Sequence, residues 1–144
     1  MTPVLTYRSK CFRITELVSR QIYQERGDRA WELLQPAALR TLDLLREKFG
    51  RIVINNWNVQ GPYNESGLRH FETGTGAEWS MHKFGGAFDC KFQDTTPQDA
   101  HAYILANPDQ FPELTTLEAI KSTPTWLHFD VRNHGKRGIW VVNP

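Results

Sequence analysis

His82 and Asp89 are the residues of this chain whose types and spacing first suggest chemistry. They lie in the stretch from Trp79 to Phe92, which carries an S-x-H-x-x-G-x-A-x-D pattern at Ser80, His82, Gly85, Ala87 and Asp89. Imidazole and carboxylate are both common zinc ligands. A gap of seven residues does not suit one helix face, where partners sit about three or four apart. It predicts a strand-like approach, a glycine turn, and a strand carrying Asp89. Gly85 and Gly86 can take backbone angles closed to other residues, so the chain can reverse and bring both ligands to one ion. On that strand Ala87, Asp89 and Lys91 share one face, with Phe88, Cys90 and Phe92 on the other. The apolar set then packs inward while Asp89 faces a cleft.

The elements that must position this stretch follow from periodicity and punctuation. Met1 to Phe12 has little pattern and reads as an arm. Thr15 is a candidate N-cap for a short helix bearing Leu17, Val18 and Ile22 that ends near Gly27. Asp28 can cap the next segment, anchored by Trp31 and Leu34, and Pro36 either breaks the pattern or opens a new helix. Leu39, Leu42, Leu45 and Phe49 fit a helix period that Gly50 stops. The β-branched run Ile52, Val53, Ile54 reads as a strand. Asn58 to Glu78 follows as a loop long enough to expect a functional role. Thr96, Pro97 and Asp99 start a helix running to about Asn107. Residues 116–120 and 126–131 read as two strands, and 135–142 adds a last one. The chain is therefore expected to be a single α+β domain over residues 1–144, an antiparallel sheet with N-terminal helices packed on one side.

Bulk properties narrow the partners. Apolar residues make up 40% and charged residues 23% of 144 positions, as in a globule with a real core. Lys and Arg number 17 against 16 Asp and Glu, which gives no electrostatic reason to expect nucleic acid. No run reaches membrane-span length and the N-terminus lacks the apolar core of a signal peptide, so neither a membrane nor secretion by that route is expected. The two cysteines, Cys11 and Cys90, do not resemble a secreted disulfide framework, and Cys90 reads as a buried thiol.

The pattern from Ser80 to Asp89 resembles that of the zinc D-Ala-D-Ala carboxypeptidases and L-alanyl-D-glutamate endopeptidases of peptidoglycan, a group related in structure to the Hedgehog signalling domain. The likeness extends to Ile54-Asn55-Asn56-Trp57, to Ser66-Gly67-Leu68-Arg69, and to a Trp126-x-His128 pair near the end, and is greatest to phage-type members. It implies that Zn2+ is held by His82, Asp89 and His128, and that Arg69 and Ser80 bind substrate. It further implies a Hedgehog-like fold, a monomer, and hydrolysis of a peptide bond in peptidoglycan stem peptides after another factor delivers the protein to the wall. An Arg at a cleft rim can clamp a carboxylate with two parallel hydrogen bonds. Arg69 can equally be a solvated loop residue, or pair with Glu65 or Glu72; on either view its replacement is expected to affect stability little.

The general base is where the chain departs from the family. Many relatives place a Glu three residues before the last zinc His, and here that position is Thr125. Strand alternation offers a replacement: Trp126, His128 and Asp130 share one face, while Leu127, Phe129 and Val131 share the other. Matching that apolar face to Leu117 and Ala119 in an antiparallel hairpin sets Glu118 across from His128, with β-carbons ~5 Å apart. Asp130 is the rival base, or alternatively a group that orients His128. Of the other histidines, His70 is expected in an exposed loop, His101 on a helix surface and His134 in a turn. An alternative function is a catalytically inactive, zinc-containing module that recognises wall peptide or a protein partner. A metal-free structural protein of a virus particle is a third reading, and requires His82, Asp89 and His128 to be scattered in space.

Overall fold

The computed structural model describes residues 7–144, so the first six residues of the expected arm lie outside the description. Two short helices, α1 (Ile14–Leu17) and α2 (Arg20–Arg26), open the fold in place of the single helix expected there. Val18 and Ser19 are extended between them, and the Ser19 hydroxyl, not Thr15, caps α2 by accepting from Ile22 N. The interruption has a partner: Leu68 bridges to Val18, and its backbone exchanges hydrogen bonds with Leu17 and Ser19. A 3-10 segment, Gly27–Leu33, buries Ala30 and Trp31. Helix α3 (Pro36–Phe49) has proline in its first turn and buries Leu39, Leu42 and Leu45. Its Asp43 is also buried, and accepts from Tyr7 Oη, Ser9 Oγ and Lys10 N at 2.8, 2.5 and 2.9 Å. The described part of the arm is thus tied to α3 by polar contacts that leave no periodicity in the sequence.

Five strands form one sheet: β1 (Ile52–Val53), β2 (Ala87–Phe92), β3 (Thr116–Glu118), β4 (Leu127–Asp130) and β5 (Trp140–Val142), in the order β1-β2-β4-β3-β5. The architecture is α+β, but the sheet is mixed and not wholly antiparallel, because β5 runs parallel to β3. Residues 131–139 carry the chain from β4 past β3 to the outer edge. Since β3 is already antiparallel to β4, the returning strand must lie parallel to it. Helix α4 (Pro97–Ala106), capped by Thr96 Oγ1 on Asp99 N, lies against β4, and α3 lies against β2. The helix layer therefore includes a helix from the middle of the chain.

Alternation sorts the sheet into two faces. Phe88, Cys90, Leu117, Leu127 and Phe129 are buried in the core with α3 and α4. The opposite face carries Asp89 and Lys91 from β2, His128 and Asp130 from β4, and Glu118 from β3. Among the described residues no helix is long and apolar enough to cross a membrane.

Candidate metal centre and its cleft

One cross-strand row builds the centre. Asp89 pairs directly with His128 between β2 and β4, and the β3–β4 register, Thr116 opposite Asp130 and Leu117 opposite Phe129, sets Glu118 beside His128 on the other side. Side chains opposed in this way lie within reach of one another. His128 Nδ1 is 2.9 Å from Asp89 Oδ1 and 3.8 Å from Glu118 Oε1.

His82 reaches the row from outside the sheet. Its backbone belongs to a 3-10 turn, Met81–Phe84, and not to a strand-like approach. Ser80 Oγ starts that turn by accepting from His82 N at 3.3 Å, and Gly85, at φ 70°, closes it. A β-carbon on Gly85 would lie 2.0 Å from Leu33 O, so glycine is required by packing as well as by φ. His82 Nε2 then comes to 3.2 Å from Asp89 Oδ1.

Donor atoms of His82, Asp89 and His128 all lie within 4.8 Å of one another. Ligands at ~2.0–2.2 Å around a tetrahedral ion sit about 3.3–3.6 Å apart, and Asp89 Oδ1 already stands 3.2 Å from His82 Nε2 and 2.9 Å from His128 Nδ1. The far side of each ring favours this use. His82 Nδ1 is 2.9 Å from Gly67 O, an atom that can only accept, so Nδ1 carries the hydrogen and Nε2 is the ligand atom. His128 is turned the opposite way: Nε2 donates to Asp130 Oδ2 at 2.9 Å, leaving Nδ1 for the centre. Two imidazole nitrogens and one carboxylate, each imidazole with its other nitrogen anchored, make a donor set that fits zinc with a fourth position open. The spatial scatter that a metal-free reading needs is not what this fold provides.

Asp130 lies behind His128 and does not line the cleft. It is fully buried, and Arg132 grips it through Nε to Oδ1 at 2.8 Å and Nη2 to Oδ2 at 2.6 Å. Burial disfavours the Asp130 carboxylate, but the hydrogen bonds from His128 and Arg132 outweigh it and bring its pKa down to about 2. With both oxygens occupied and its charge held this firmly, Asp130 is placed to orient His128, the second of the two roles open to it in the sequence. Burial likewise opposes the His128 imidazolium, yet Asp130 and Asp89 raise it to about 9. Asp89 follows the same logic: desolvation is overcome by the two histidines and its pKa is lowered. A divalent cation would compete with those protons for the same lone pairs.

The cleft in front of the centre has a volume of about 520 Å³ and is lined by Arg69, Ser80 and Glu118 besides the three candidate ligands. Thr125 is exposed in the β3–β4 turn and does not line it. Arg69 is neither solvated nor paired with the Glu65 or Glu72 side chains. Its Nε donates to Glu65 O at 2.7 Å, and its Nη2 lies 3.5 Å from Asp89 Oδ2. Its remaining nitrogen rests over Gly76, where a β-carbon would come within 2.6 Å of it. The long loop bearing Arg69 is stitched down by Asn55 Oδ1 on Ser66 N, Ser66 O on Asp89 N, and His82 O on Arg69 N. Gly67 passes so close to Leu17 that a β-carbon would sit 2.1 Å from its carbonyl, which explains a glycine at the residue that orients His82.

His70, expected to be exposed, is buried against Glu25 and Phe71, because its Nδ1 accepts from Glu72 N and folds the loop inward. His134 holds a turn between Thr115 O and Lys136 N. His101 is half-buried on α4. The residues missed from sequence are Gly67, whose role is carried by a carbonyl, and Arg132, whose place two positions after Asp130 on an extended segment was the available signal. Comparison of the chain with protein-family models, with curated proteins and with solved structures returned no match.

Proposed function

We propose that this chain is a zinc-dependent peptidase acting on the stem peptides of peptidoglycan, with a fold of the Hedgehog and D-Ala-D-Ala peptidase type. The observation that carries the proposal is the row Asp89, His128, Glu118 completed by His82: three ligand atoms converge on one point, and a carboxylate that is not a ligand stands beside it. Zinc in such a site acts as a Lewis acid, polarising a carbonyl and making water acidic enough to react near neutral pH. Glu118 takes the proton of the attacking water and returns it to the departing amine, the work of a general base and then acid. Arg69 and Ser80, on the cleft wall, orient the peptide. Glu118 occupies the role that Thr125 cannot fill, which is why hydrolysis is favoured over a binding module that has lost turnover. Such an enzyme works as a monomer on a wall reached through another factor.

The test is metal analysis together with turnover. The purified protein should take up about one zinc per chain and release product from muropeptides, with both lost in His82→Ala and His128→Ala. Stoichiometric zinc retained in both variants would show that the ligands are wrong. Zinc without turnover would favour the binding module.

A further inference from the structure

Trp79 and Phe84 stand out among the large apolar side chains that the fold leaves in solvent. Their rings are parallel to within 5°, with centroids 6.1 Å apart, yet Trp79 remains 76% exposed and Phe84 48%. An offset pair of this kind is favourable in itself, but it covers only part of each ring. Both residues sit on short turns that hold them in place. Ser80 N donates to Ala77 O at 3.1 Å around Trp79, and Phe84 O accepts from Gln35 Nε2 at 3.1 Å. The Met81–Phe84 turn that ends in Phe84 is the one that carries His82. A ligand meeting the pair finds its rings already ordered, which lowers the entropy cost of binding.

The pair joins two depressions. Trp79 lines the metal cleft, and Phe84 lines a separate groove of about 490 Å³ in which Leu33 and Phe71 are also exposed. Four exposed apolar side chains thus form one track that begins at the metal cleft, and contiguous patches of this kind mark binding surfaces. The charges along the track balance. Glu78 precedes Trp79 and Lys83 precedes Phe84, one of each sign. In the groove Glu25 faces His70, Arg26 faces Glu32 and Arg69 faces Asp89. The track therefore has no net charge to draw an anion or a cation. It offers flat apolar faces flanked by hydrogen-bonding groups. That is the chemistry that receives a pyranose ring, whose C–H bonds turn to the electron-rich face of an aromatic ring while its hydroxyl groups reach carboxylate and ammonium at the side.

We infer that Trp79 and Phe84 form a saccharide platform, on which the amino-sugar strand lies while the stem peptide that hangs from it occupies the metal cleft. The inference rests on the peptidase reading and extends it from peptide to strand: the favoured substrate is a stem peptide still attached to its glycan.

Two measurements on the zinc-loaded protein test this. One is NMR titration with an N-acetylglucosamine tetrasaccharide; the other is kcat/KM for a stem peptide with and without its disaccharide. The tetrasaccharide should bind, and the disaccharide-linked peptide should be turned over about tenfold more efficiently, the size of one ring stacked on an aromatic side chain. Trp79→Ala should lose the binding and bring the ratio of the two kcat/KM values to about one, with Tm unchanged because the exposed ring supports no buried partner. If that variant does not fold, Trp79→Leu, which keeps apolar bulk without the flat ring, replaces it. No saccharide binding, binding unchanged in the variant, or equal kcat/KM for the two peptides in the wild type would each overturn the platform. Self-association that disappears in Trp79→Ala, with no saccharide bound, would overturn it in favour of a protein-docking surface. Saccharide binding lost in Trp79→Ala without turnover of either peptide would uphold the platform and sink the peptidase.

Discussion

Replacing Glu118 with Gln removes one proton-accepting oxygen from the row and changes almost nothing else. The Glu118 side chain is 20% exposed, and its one close charged contact is His128 Nδ1 at 3.8 Å. That distance is too long for a hydrogen bond and too short for a water to fit on the line between the two atoms. A reacting water would therefore sit to one side, within reach of Glu118, where a Gln of the same shape could hydrogen-bond it but not take its proton. General acid–base groups contribute about 10²–10⁴ in rate, or ~3–5 kcal/mol of barrier. The expected result is a fall in kcat of that size on a defined muropeptide, with zinc content unchanged. Tm should move little, because Glu118 anchors no buried partner through a short hydrogen bond and surface-type changes stay within about 0.5 kcal/mol. Turnover within a few-fold of wild type, with zinc present, would refute the assignment. Lost zinc would instead make Glu118 a ligand.

Asp130→Asn should show the opposite pattern, a zinc affinity weaker by about 10–100-fold and a smaller loss of kcat once zinc is saturating, since it orients His128 and does not meet the substrate. Unchanged affinity would return Asp130 to the list of bases. Arg69→Lys should lower kcat/KM and also Tm, because Lys cannot serve Glu65 O, Asp89 and the cleft together; this differs from the small stability effect expected of a loop arginine. An unchanged Tm would mean that those contacts do not hold the loop. Acid should separate wild type from Asp130→Asn in the metal-free protein. The Asp130 pKa of about 2 lies below the ~3.9 of an unfolded Asp, so its contribution of ~2–3 kcal/mol is full above pH ~4 and disappears as pH falls toward 2. Urea midpoints falling in parallel for both proteins between pH 5 and 2 would contradict this.

Much of the centre was legible in the sequence because strand alternation is a local property. Asp89 opposite a buried Phe88 and Cys90, and Glu118 across from His128, follow from a period of two together with the matching of apolar faces. Helices α3 and α4 were legible for the same kind of reason, since Pro36, Gly50 and the Thr96 cap act within a turn of their own positions. The interruption at Val18 was not, because it is made by Leu68, far along the chain, whose backbone takes the place of helical hydrogen bonds. The side of the sheet on which β5 returns was equally hidden, since a strand pattern names a face but no partner.

The sequence by itself singled out the side chains that the fold gathers around one point, His82, Asp89, His128, Glu118 and Asp130. Tertiary structure alone decided the surroundings of each one. Asp130 and Glu118 are both acids on the His128 side of the sheet, and no composition or spacing separates them. The packing of Arg132 against one and the open cleft before the other does, because a carboxylate with both oxygens occupied by fixed charges is a poor proton acceptor, and one facing an open cleft is not. His82 and His128 present different nitrogens to the same point for a similar reason: Gly67 O and Asp130 Oδ2, brought there by distant parts of the chain, fix which nitrogen of each ring is left free.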